Sequence, residues 1–394
     1  MNPGSLIEPG TPAYRRACLA LVLASLVIFA NLYALHPLLP LIAREFGVST
    51  LQAGNAFTIT SLTLGLSLLI HGPLSDALGR KGPLLAGLAA TTLLTGCMVF
   101  SSEFSTLLWL RAALGLALGV LPAVAIAYLG DTMSRTALVG AVGLYISGNT
   151  LGGAGGRVIG GFIGDHLSLQ AVFVFLTAFS LCGLALVAYL LPKPAHFVPQ
   201  RLSLGGSLKG FAAHLKNPAL LPAFVLGGFN FMIFINLYTY LTFRLSAPPW
   251  SLGSGTLGLL FLTYLAGTFS ASLSGRLSFH RAPLGMAAGV AFMITGTSLL
   301  LATQLWLIIL GLLCNAFGFF LTHSLANSWI NQKAAFGKAS ASSLYSVFYY
   351  LGAAAGIYYL EPFWQGFGWH AVIGASLLML LINMVLIGYL SRRR

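Results

Sequence analysis

Long apolar runs separated by short polar breaks occupy almost the whole chain. The runs are about 20 residues long, the length that an α-helix needs to cross the hydrocarbon core of a bilayer. In lipid every backbone polar group must be paired within the structure, and a helix achieves this within one segment. The pattern predicts an all-α membrane protein with twelve transmembrane helices, near residues 16–38, 51–71, 83–102, 106–130, 138–163, 170–191, 220–243, 254–275, 283–302, 305–329, 340–360 and 369–390.

The composition agrees with this pattern and excludes a soluble protein. Of the 394 residues, 57% are hydrophobic and only 7% are charged, whereas about 25% of the residues in a soluble domain are charged. So few charges cannot cover a surface that faces water. The sequence also contains no acid/base or metal-ligand cluster at membrane depth and no nucleotide-binding loop. We therefore expect a protein that is not an enzyme, with no catalytic residues, no cofactor and no metal.

The formal charge of +13 is distributed unevenly along the chain. If the chain starts in the cytoplasm, only Arg44 and Arg244 fall on the outer side, Arg111 and Arg157 fall inside spans, and all other basic residues fall on the inner side. This asymmetry follows the positive-inside rule and predicts a multi-pass protein of the inner (cytoplasmic) membrane with both termini in the cytoplasm. The excess of basic residues is then explained by the orientation of the chain in the membrane. We expect a monomer that contacts anionic lipids at the cytoplasmic face and binds no nucleic acid.

The two halves of the chain resemble each other. The segment IFANLY at 28–33 is matched by IFINLY at 233–238, and several positions of 144–156 recur at 344–356. The longest polar interval separates the halves. We predict an N-terminal six-helix bundle at 1–191, a cytoplasmic linker at 192–219 and a C-terminal six-helix bundle at 220–394, related as parallel repeats. A cleft between two such bundles favours a transporter that works by alternating access.

Three segments carry family motifs. The segment GPLSDALGRK at 72–81, between predicted spans 2 and 3, resembles the loop signature of the major facilitator superfamily. RAALG at 111–115 in span 4 is similar to a second element of that family, and GNTLGGAGGR at 148–157 in span 5 is similar to the glycine-rich signature of its drug/proton antiporter branches. Gly-Gly stands where those branches usually have Gly-Pro. The resemblance covers essentially the whole chain and extends to the YnfM-type bacterial inner-membrane permeases. It implies the major facilitator fold and a role for the span-5 glycines Gly148, Gly152, Gly153 and Gly156.

The loop at 72–81 is the candidate cytoplasmic gate. Its two glycines allow a tight turn, and Asp76 is placed to face the positive end of a helix dipole. The resemblance implies that Arg80 pairs with Asp131, which ends span 4, and that this pair locks the cytoplasmic face while the protein is open outward. The alternative is a topogenic basic loop with a solvated aspartate. The predicted gating motif comprises Gly72, Asp76, Gly79, Arg80, Lys81 and Asp131.

Arg111, Arg157 and His323 lie inside predicted spans, and His323 is the only histidine well inside one. A charge at such depth costs about 2.5 to 3.5 kcal/mol and marks a functional site by default, so these residues are our proton or substrate candidates. The alternatives are an Arg111 that reaches the outer headgroups, an Arg157 that pairs with Asp165 or caps backbone carbonyls, and a structural His323. None of the seven acids falls in the middle of a span, which disfavours a cationic substrate.

Several polar residues of other spans could line the cleft, and the alternative for each is interhelical hydrogen bonding. These residues are Asn31, Tyr33, Asn149, Asn230, Asn236, Tyr238, Asn315 and Tyr345. Together the observations predict a secondary active transporter that moves a small organic solute, by proton-coupled efflux of a neutral, zwitterionic or anionic compound. The alternative on the same fold is uptake, or uncoupled facilitated diffusion, of a sugar or an organic acid.

Overall fold

The computed structural model describes residues 6–194, 197, 204–274 and 282–392. Within these residues the chain is helical almost throughout, which confirms the predicted all-α fold. Part of the predicted linker, at 195–196 and 198–203, lies outside the described residues. The first half forms the helices α1 (Pro12–Tyr33), α2 (Leu39–Phe46), α3 (Thr50–Leu78), α4 (Lys81–Met98), α5 (Phe104–Leu118), α6 (Val120–Thr132), α7 (Arg135–His166) and α8 (Leu169–Leu190).

The second half begins with a short helix inside the predicted linker and continues with the helices of the second repeat. A single 3-10 turn at Leu260–Thr263 joins α11 to α12, so these two helices occupy one predicted span. The helices are α9 (Leu204–Leu215), α10 (Leu221–Ser246), α11 (Ser254–Leu259), α12 (Tyr264–Ser274), α13 (Ala282–Leu299), α14 (Leu305–Lys333) and α15 (Lys338–Ser391).

Each predicted span coincides with a helix, with a helix pair or with one part of α15. By length and composition, nine segments of the described chain could cross a membrane. Helices α4 and α7 are not among the nine, although they occupy predicted spans 3 and 5, because α4 begins with a lysine and α7 is diluted by glycine and carries Arg157. The nine are Pro12–Phe46, Thr50–Leu78, Phe104–Thr132, Leu169–Leu190, Leu221–Ser246, Ser254–Ser274, Ala282–Leu299, Leu305–Lys333 and Ser340–Ser391.

Helix α15 contains two crossings. Its 54 residues would measure about 80 Å at 1.5 Å per residue, far more than the roughly 30 Å of a hydrocarbon core. The helix is interrupted at Gly368, where φ is 70° and ψ is −157°. A residue with a Cβ rarely adopts this conformation. The glycine therefore separates the two predicted spans that α15 contains.

The chain forms two compact units. Unit 1 comprises Met1–Ser49, Ile59–Leu204 and Gly253–Gly258, and unit 2 comprises Thr50–Thr58, Gly205–Leu252 and Leu259–Arg394. The start of α3 belongs to unit 2 because its residues pack there. A Cβ on Gly54 would overlap the side chain of Ile357, and Tyr358 donates a hydrogen bond to Asn55 over 3.0 Å.

In unit 1, α1 and α7 pack backbone to backbone along a stripe of glycines. Gly148, Gly152 and Gly156 lie four residues apart and therefore on one face of α7. A Cβ on Gly152 would lie 2.8 Å from Leu26 Cα, and a Cβ on Gly156 would lie 2.6 Å from Ala30 Cα. No larger residue fits at this separation, so these motif glycines set how closely the two helices approach.

In unit 2, α10 and α15 repeat this arrangement. A Cβ on Gly352 would lie 2.8 Å from Gly228 Cα, and a Cβ on Gly356 would lie 2.6 Å from the Met232 carbonyl oxygen. The glycines of the two units occupy matching positions in the internal repeat, 200 residues apart. The repeat that is visible in the sequence is therefore also present in the helix packing.

Candidate functional site

The gating motif begins inside a helix and ends in a tight turn. Gly79 follows the last residue of α3 and has a φ of 97°, and its N–H donates to the Ser75 carbonyl over 3.0 Å. This left-handed residue ends α3 and directs the chain into α4. Gly72 does not take part in the turn, contrary to the prediction. It lies within α3, where a Cβ would meet nothing within 4 Å.

Arg80 is the centre of the motif. Its Nη1 lies 2.5 Å from Asp76 Oδ1 and its Nε lies 2.8 Å from Asp131 Oδ2. The same Nη1 donates to Ser75 Oγ over 2.7 Å. The structure thus contains the Arg80–Asp131 pair, and Asp76 binds Arg80 rather than standing alone in solvent. All of these residues belong to unit 1, so the network joins the end of α3 to the last turn of α6.

The environment of Arg80 keeps the guanidinium charged. Burial tends to lower its pKa, but the hydrogen bonds and negative charges of Asp131 and Asp76 outweigh burial and raise the pKa. A planar guanidinium with two carboxylate partners is a strong and directional arrangement. The network can therefore hold two helix ends in a fixed relation until one carboxylate is neutralised or drawn away.

Arg111 stabilises the end of a neighbouring helix. The side chain is almost completely buried, and its Nη1 and Nη2 donate to the carbonyl oxygens of Asn31 and Leu32 over 3.0 and 3.2 Å. These carbonyls belong to the last turn of α1, where a helix accepts hydrogen bonds and favours positive charge. The guanidinium therefore points to the interior of unit 1, and the alternative in which it reaches the outer headgroups is wrong.

Arg157 lies against an aromatic face. Its side chain is 2% exposed, and its Cζ lies 3.9 Å from the centre of the Tyr33 ring. Its Nη1 also donates to the Gly153 carbonyl over 3.3 Å. A Cβ on Gly153 would lie 3.2 Å from Tyr33 Cδ2 and 3.6 Å from Arg157 Nη1. The third glycine of the span-5 motif therefore makes room for the stacked pair.

Asp165, the acid suggested as an alternative partner of Arg157, has another contact. It lies eight residues further along α7, about 12 Å away along the axis. Its Oδ1 accepts a hydrogen bond from the backbone N–H of Ser254 over 3.2 Å, at the first residue of α11. A carboxylate at a helix start is favourably placed. Asp165 therefore fixes the segment Gly253–Gly258 to unit 1.

In unit 2 the structure brings together two of the predicted residues, His323 and Tyr345. The Tyr345 hydroxyl lies 2.8 Å from His323 Nδ1. The imidazole is also flanked by aromatic rings, with centroid distances of 5.8 Å to Phe319 and 5.0 Å to Tyr349. The hydrogen bond links α14 to α15 and fixes the orientation of the imidazole.

The two aligned asparagines have different partners. Asn31 donates to Ser180 Oγ over 2.9 Å and accepts from Thr95 Oγ1 over 2.8 Å, so it joins α1 to α8 and α4. Asn236 donates to the Ala353 carbonyl over 2.9 Å and joins α10 to α15. Both side chains are buried and contribute to helix packing.

The remaining cleft candidates also contact neighbouring helices. Asn230 donates to the Phe319 carbonyl over 3.3 Å and Asn315 donates to Thr297 Oγ1 over 2.9 Å. The Tyr238 hydroxyl lies 2.7 Å from Thr263 Oγ1. Asn149 is half-buried in α7. For Asn230, Asn315 and Tyr238 these contacts agree with the alternative, interhelical hydrogen bonding.

One acid is buried where the sequence pattern places a span boundary. Glu361 is 9% exposed. Its Oε2 lies 2.7 Å from the Tyr240 hydroxyl, and its Oε1 accepts from Gln365 Nε2 over 2.8 Å. The polar residues from Glu361 to Gln365 indicate the end of a span, yet α15 continues to Gly368 and Tyr240 of α10 supplies a buried partner. Glu361 therefore follows the predicted span at 340–360, as the sequence indicates, but it is buried, which the sequence pattern does not indicate. The burial of Glu361 depends on Tyr240 in span 7, which is far away in sequence, so the residues around Glu361 do not predict it.

Comparisons with known proteins identify the family. The family model described as Major Facilitator Superfamily matches residues 21–357. The MFS-type transporter YybF of Bacillus subtilis is 35% identical over 387 residues, which cover 98% of this chain and 96% of YybF. The inner membrane transport protein YnfM of Escherichia coli is 34% identical over 396 residues, covering 100% of this chain and 94% of YnfM. Both relatives are named as transporters and not as enzymes.

A solved structure shows the same fold. The crystal structure of the human organic anion transporter MFSD10 (TETRAN) aligns with a TM-score of 0.71, 18% sequence identity, 95% of this chain and 99% of that chain. At this identity the likeness concerns the fold alone. The predicted fold and the predicted resemblance to YnfM-type permeases are confirmed.

Proposed function

The chain belongs to the major facilitator superfamily and is a multi-pass transporter of the inner membrane, and from this premise we propose that it is a proton-coupled exporter of a small neutral, zwitterionic or anionic organic solute. The solute crosses by alternating access, and both termini lie in the cytoplasm. The drug/proton antiporter signature in span 5 supports the outward direction. The asymmetry of basic residues supports the orientation.

The observation that carries the proposal is the buried, stacked guanidinium of Arg157. Its Cζ lies 3.9 Å from the centre of the Tyr33 ring, and its Nη1 donates to the Gly153 carbonyl over 3.3 Å. A contact between a guanidinium and an aromatic face stabilises the cation by about 0.5 to 2 kcal/mol. A carboxylate or phosphonate on a solute would therefore be attracted to it, whereas a cationic solute would be repelled. Arg111 adds a second buried positive charge to unit 1.

Proton coupling is supported by the His323–Tyr345 pair. An imidazole is the side chain whose unperturbed pKa lies between pH 5 and 8. The Tyr345 hydroxyl can accept a hydrogen bond from a protonated Nδ1 or donate one to an unprotonated Nδ1 without moving. Both charge states of His323 therefore have a hydrogen-bonding partner in place. Glu361 with Tyr240 is the second buried group in unit 2 that could hold a proton.

The Arg80 network supplies the gate in this proposal. With the termini in the cytoplasm, the α3–α4 turn lies at the cytoplasmic face, and the Asp76–Arg80–Asp131 contacts hold α3 and α6 together there. Loss of the Asp131 contact would free the end of α6. The gate would thus alternate between a paired and an unpaired state of Arg80.

Transport assays in proteoliposomes test the proposal. Purified protein is reconstituted with an internal pH dye, and anionic, zwitterionic, neutral and cationic solutes of similar size are added with and without a pH gradient. We expect proton movement that depends on a neutral, zwitterionic or anionic solute. Arg157→Gln should slow transport of the anionic solute at least tenfold, and Arg157→Lys should retain more of it because the charge is kept.

A second variant separates substrate binding from proton coupling. His323→Gln keeps a hydrogen-bonding side chain but cannot carry a proton in this range. It should abolish solute-dependent proton movement while solute exchange without a gradient continues. Wild-type anion transport by folded Arg157→Gln would contradict the substrate class. Transport that ignores the proton gradient would contradict the coupling and favour the uncoupled facilitator.

A further inference from the structure

A pocket with basic walls lies in unit 1 beside the α3–α4 turn. Its volume is about 440 Å³, and it is lined by Gly79, Arg80, Lys81, Lys193 and Phe197 among others. This volume falls within the range of roughly 300 to 1,000 Å³ that is usual for small-molecule sites. We call it the basic pocket.

A fourth cation, Arg16, approaches the basic pocket from α1. Lys81 Nζ donates to the carbonyls of Leu191 and Ala188 over 2.5 and 3.2 Å. Arg16 Nη2 donates to the carbonyl of Tyr189 over 2.9 Å. These three carbonyls belong to the last turn of α8 and the residue after it. Lys81 and Arg16 therefore converge on one helix end, directly beside Lys193.

The carbonyl oxygens at the end of α8 balance only part of the positive charge of Arg16, Arg80, Lys81 and Lys193. A helix C-terminus carries about half a negative charge, and the carboxylates that pair with these cations in the described part of the chain are Asp76 and Asp131, which both bind Arg80. Four cations against two carboxylates and this dipole leave a net positive charge of about 1.5. The pKa of Lys81 agrees with this balance. Burial lowers it first, and the positive charges of Lys193 and Arg16 lower it further.

The surroundings of the basic pocket are those of a lipid-facing helix end. Leu78, which lines the pocket, is 67% exposed, and Tyr189, which carries the Arg16 contact, is 75% exposed. Large apolar side chains with this exposure cover the lipid side of a membrane protein, and tyrosine is enriched where chains meet headgroups. An anion bound in the basic pocket would therefore lie next to apolar side chains that face lipid.

We propose that the basic pocket binds the phosphate of an anionic phospholipid headgroup, with Lys81 and Lys193 as its ligands and Arg16 at its rim. The phosphate offers acceptor oxygens to two ammonium groups, and its charge offsets the excess of the cluster. The acyl chains lie beside Leu78 and Tyr189. The site is independent of the transported solute and of the direction of transport.

Native mass spectrometry of the full chain tests this site. Protein is released from nanodiscs made of equal parts phosphatidylglycerol and phosphatidylcholine, and the bound lipids are counted. Wild type should retain phosphatidylglycerol preferentially. Because a basic residue near the surface contributes about 1 kcal/mol, the double variant Lys81→Gln/Lys193→Gln should lower the affinity roughly tenfold to thirtyfold.

Controls make the result specific. Lys333→Gln removes a lysine from the end of α14 and should leave the preference unchanged. Lys193 is exposed and lies outside the helices. The single variant Lys193→Gln therefore tests the site even if the double variant folds poorly because the Lys81 contacts are lost. It should lower phosphatidylglycerol binding several-fold. Equal retention of both lipids, or equal behaviour of the Lys193 and Lys333 variants, would overturn the proposal. Displacement of the lipid by millimolar inorganic phosphate would assign the pocket to a free anion and overturn the lipid assignment.

Discussion

The close contact between α1 and α7 leads to a sharp prediction for the span-5 glycines. Gly156→Ala places a Cβ 2.6 Å from Ala30 Cα and 2.9 Å from the Ala30 carbonyl oxygen. Carbon atoms in contact are normally about 3.5 to 4.0 Å apart, so α7 must move away by about 1 Å. Overpacking of this kind costs about 1 to 3 kcal/mol in free energy of unfolding. Gly155→Ala is the matched control, because a Cβ there meets nothing within 4 Å.

The pair of variants isolates the contact from helix propensity. In a helix interior alanine is favoured over glycine by about 1 kcal/mol, and this gain is the same at both positions. The difference in melting temperature between the two variants therefore reports the steric cost alone. With about 2 to 4 °C per kcal/mol for a domain of 150–250 residues, Gly156→Ala should melt roughly 2 to 12 °C below Gly155→Ala.

The assay is thermal unfolding of each purified variant in one mild detergent, followed by circular dichroism and by loss of monodisperse protein in gel filtration. Gly356→Ala extends the test to unit 2, where the added Cβ would lie 2.6 Å from the Met232 carbonyl oxygen. It should melt below Gly366→Ala, a position in α15 with open space. Equal melting temperatures within both pairs would show that the helices are not held at backbone contact, and the reasoning would fail.

Three further substitutions test side-chain contacts. Asp131→Asn removes the charge that lies 2.8 Å from Arg80 Nε; it should cost about 1.5 to 3 kcal/mol in stability and slow transport, and unchanged flux in proteoliposomes would argue against a gate. Asn31→Leu leaves two buried hydroxyls without their amide partner and should cost about 1 to 3 kcal/mol for each, measured by urea unfolding in detergent. Tyr240→Phe removes the hydroxyl 2.7 Å from Glu361 and should cost about 1.5 to 3 kcal/mol at neutral pH; the additional change Glu361→Gln should recover part of this loss, and no recovery would contradict the contact.

The sequence predicts the helices well because a long apolar segment in a bilayer can satisfy its backbone hydrogen bonds only as a helix. An apolar run of about 20 residues must become a helix, and the position of each predicted span agrees with the structure. The glycine stripe of α7 was also visible, since its four-residue spacing places the glycines on one face. Periodicity and local chemistry are sufficient for these features.

Apart from the Arg80–Asp131 pair, which the family resemblance implies, partners that come from distant helices could not be predicted. Asn31 and Asn236 stand in nearly identical hexapeptides, yet one bonds to α8 and α4 and the other to α15. Sequence similarity fixes the local helix, whereas the hydrogen bonds depend on which neighbour supplies a donor at that depth. The same holds for Arg111, whose carbonyl partners are polar groups of the backbone, which no sequence pattern distinguishes.

The positions of the few charges bear on how the units could respond to a solute. Arg80 is held by two carboxylates and is locally compensated. Arg111 contacts carbonyl dipoles at a helix end, and Arg157 contacts the face of the Tyr33 ring. Under the proposed function a solute anion is attracted to Arg157, and the helix that carries Arg157 is packed against α1 through glycines. Because these glycines hold the backbones of α7 and α1 in direct contact, a displacement of α7 on anion binding would also displace α1.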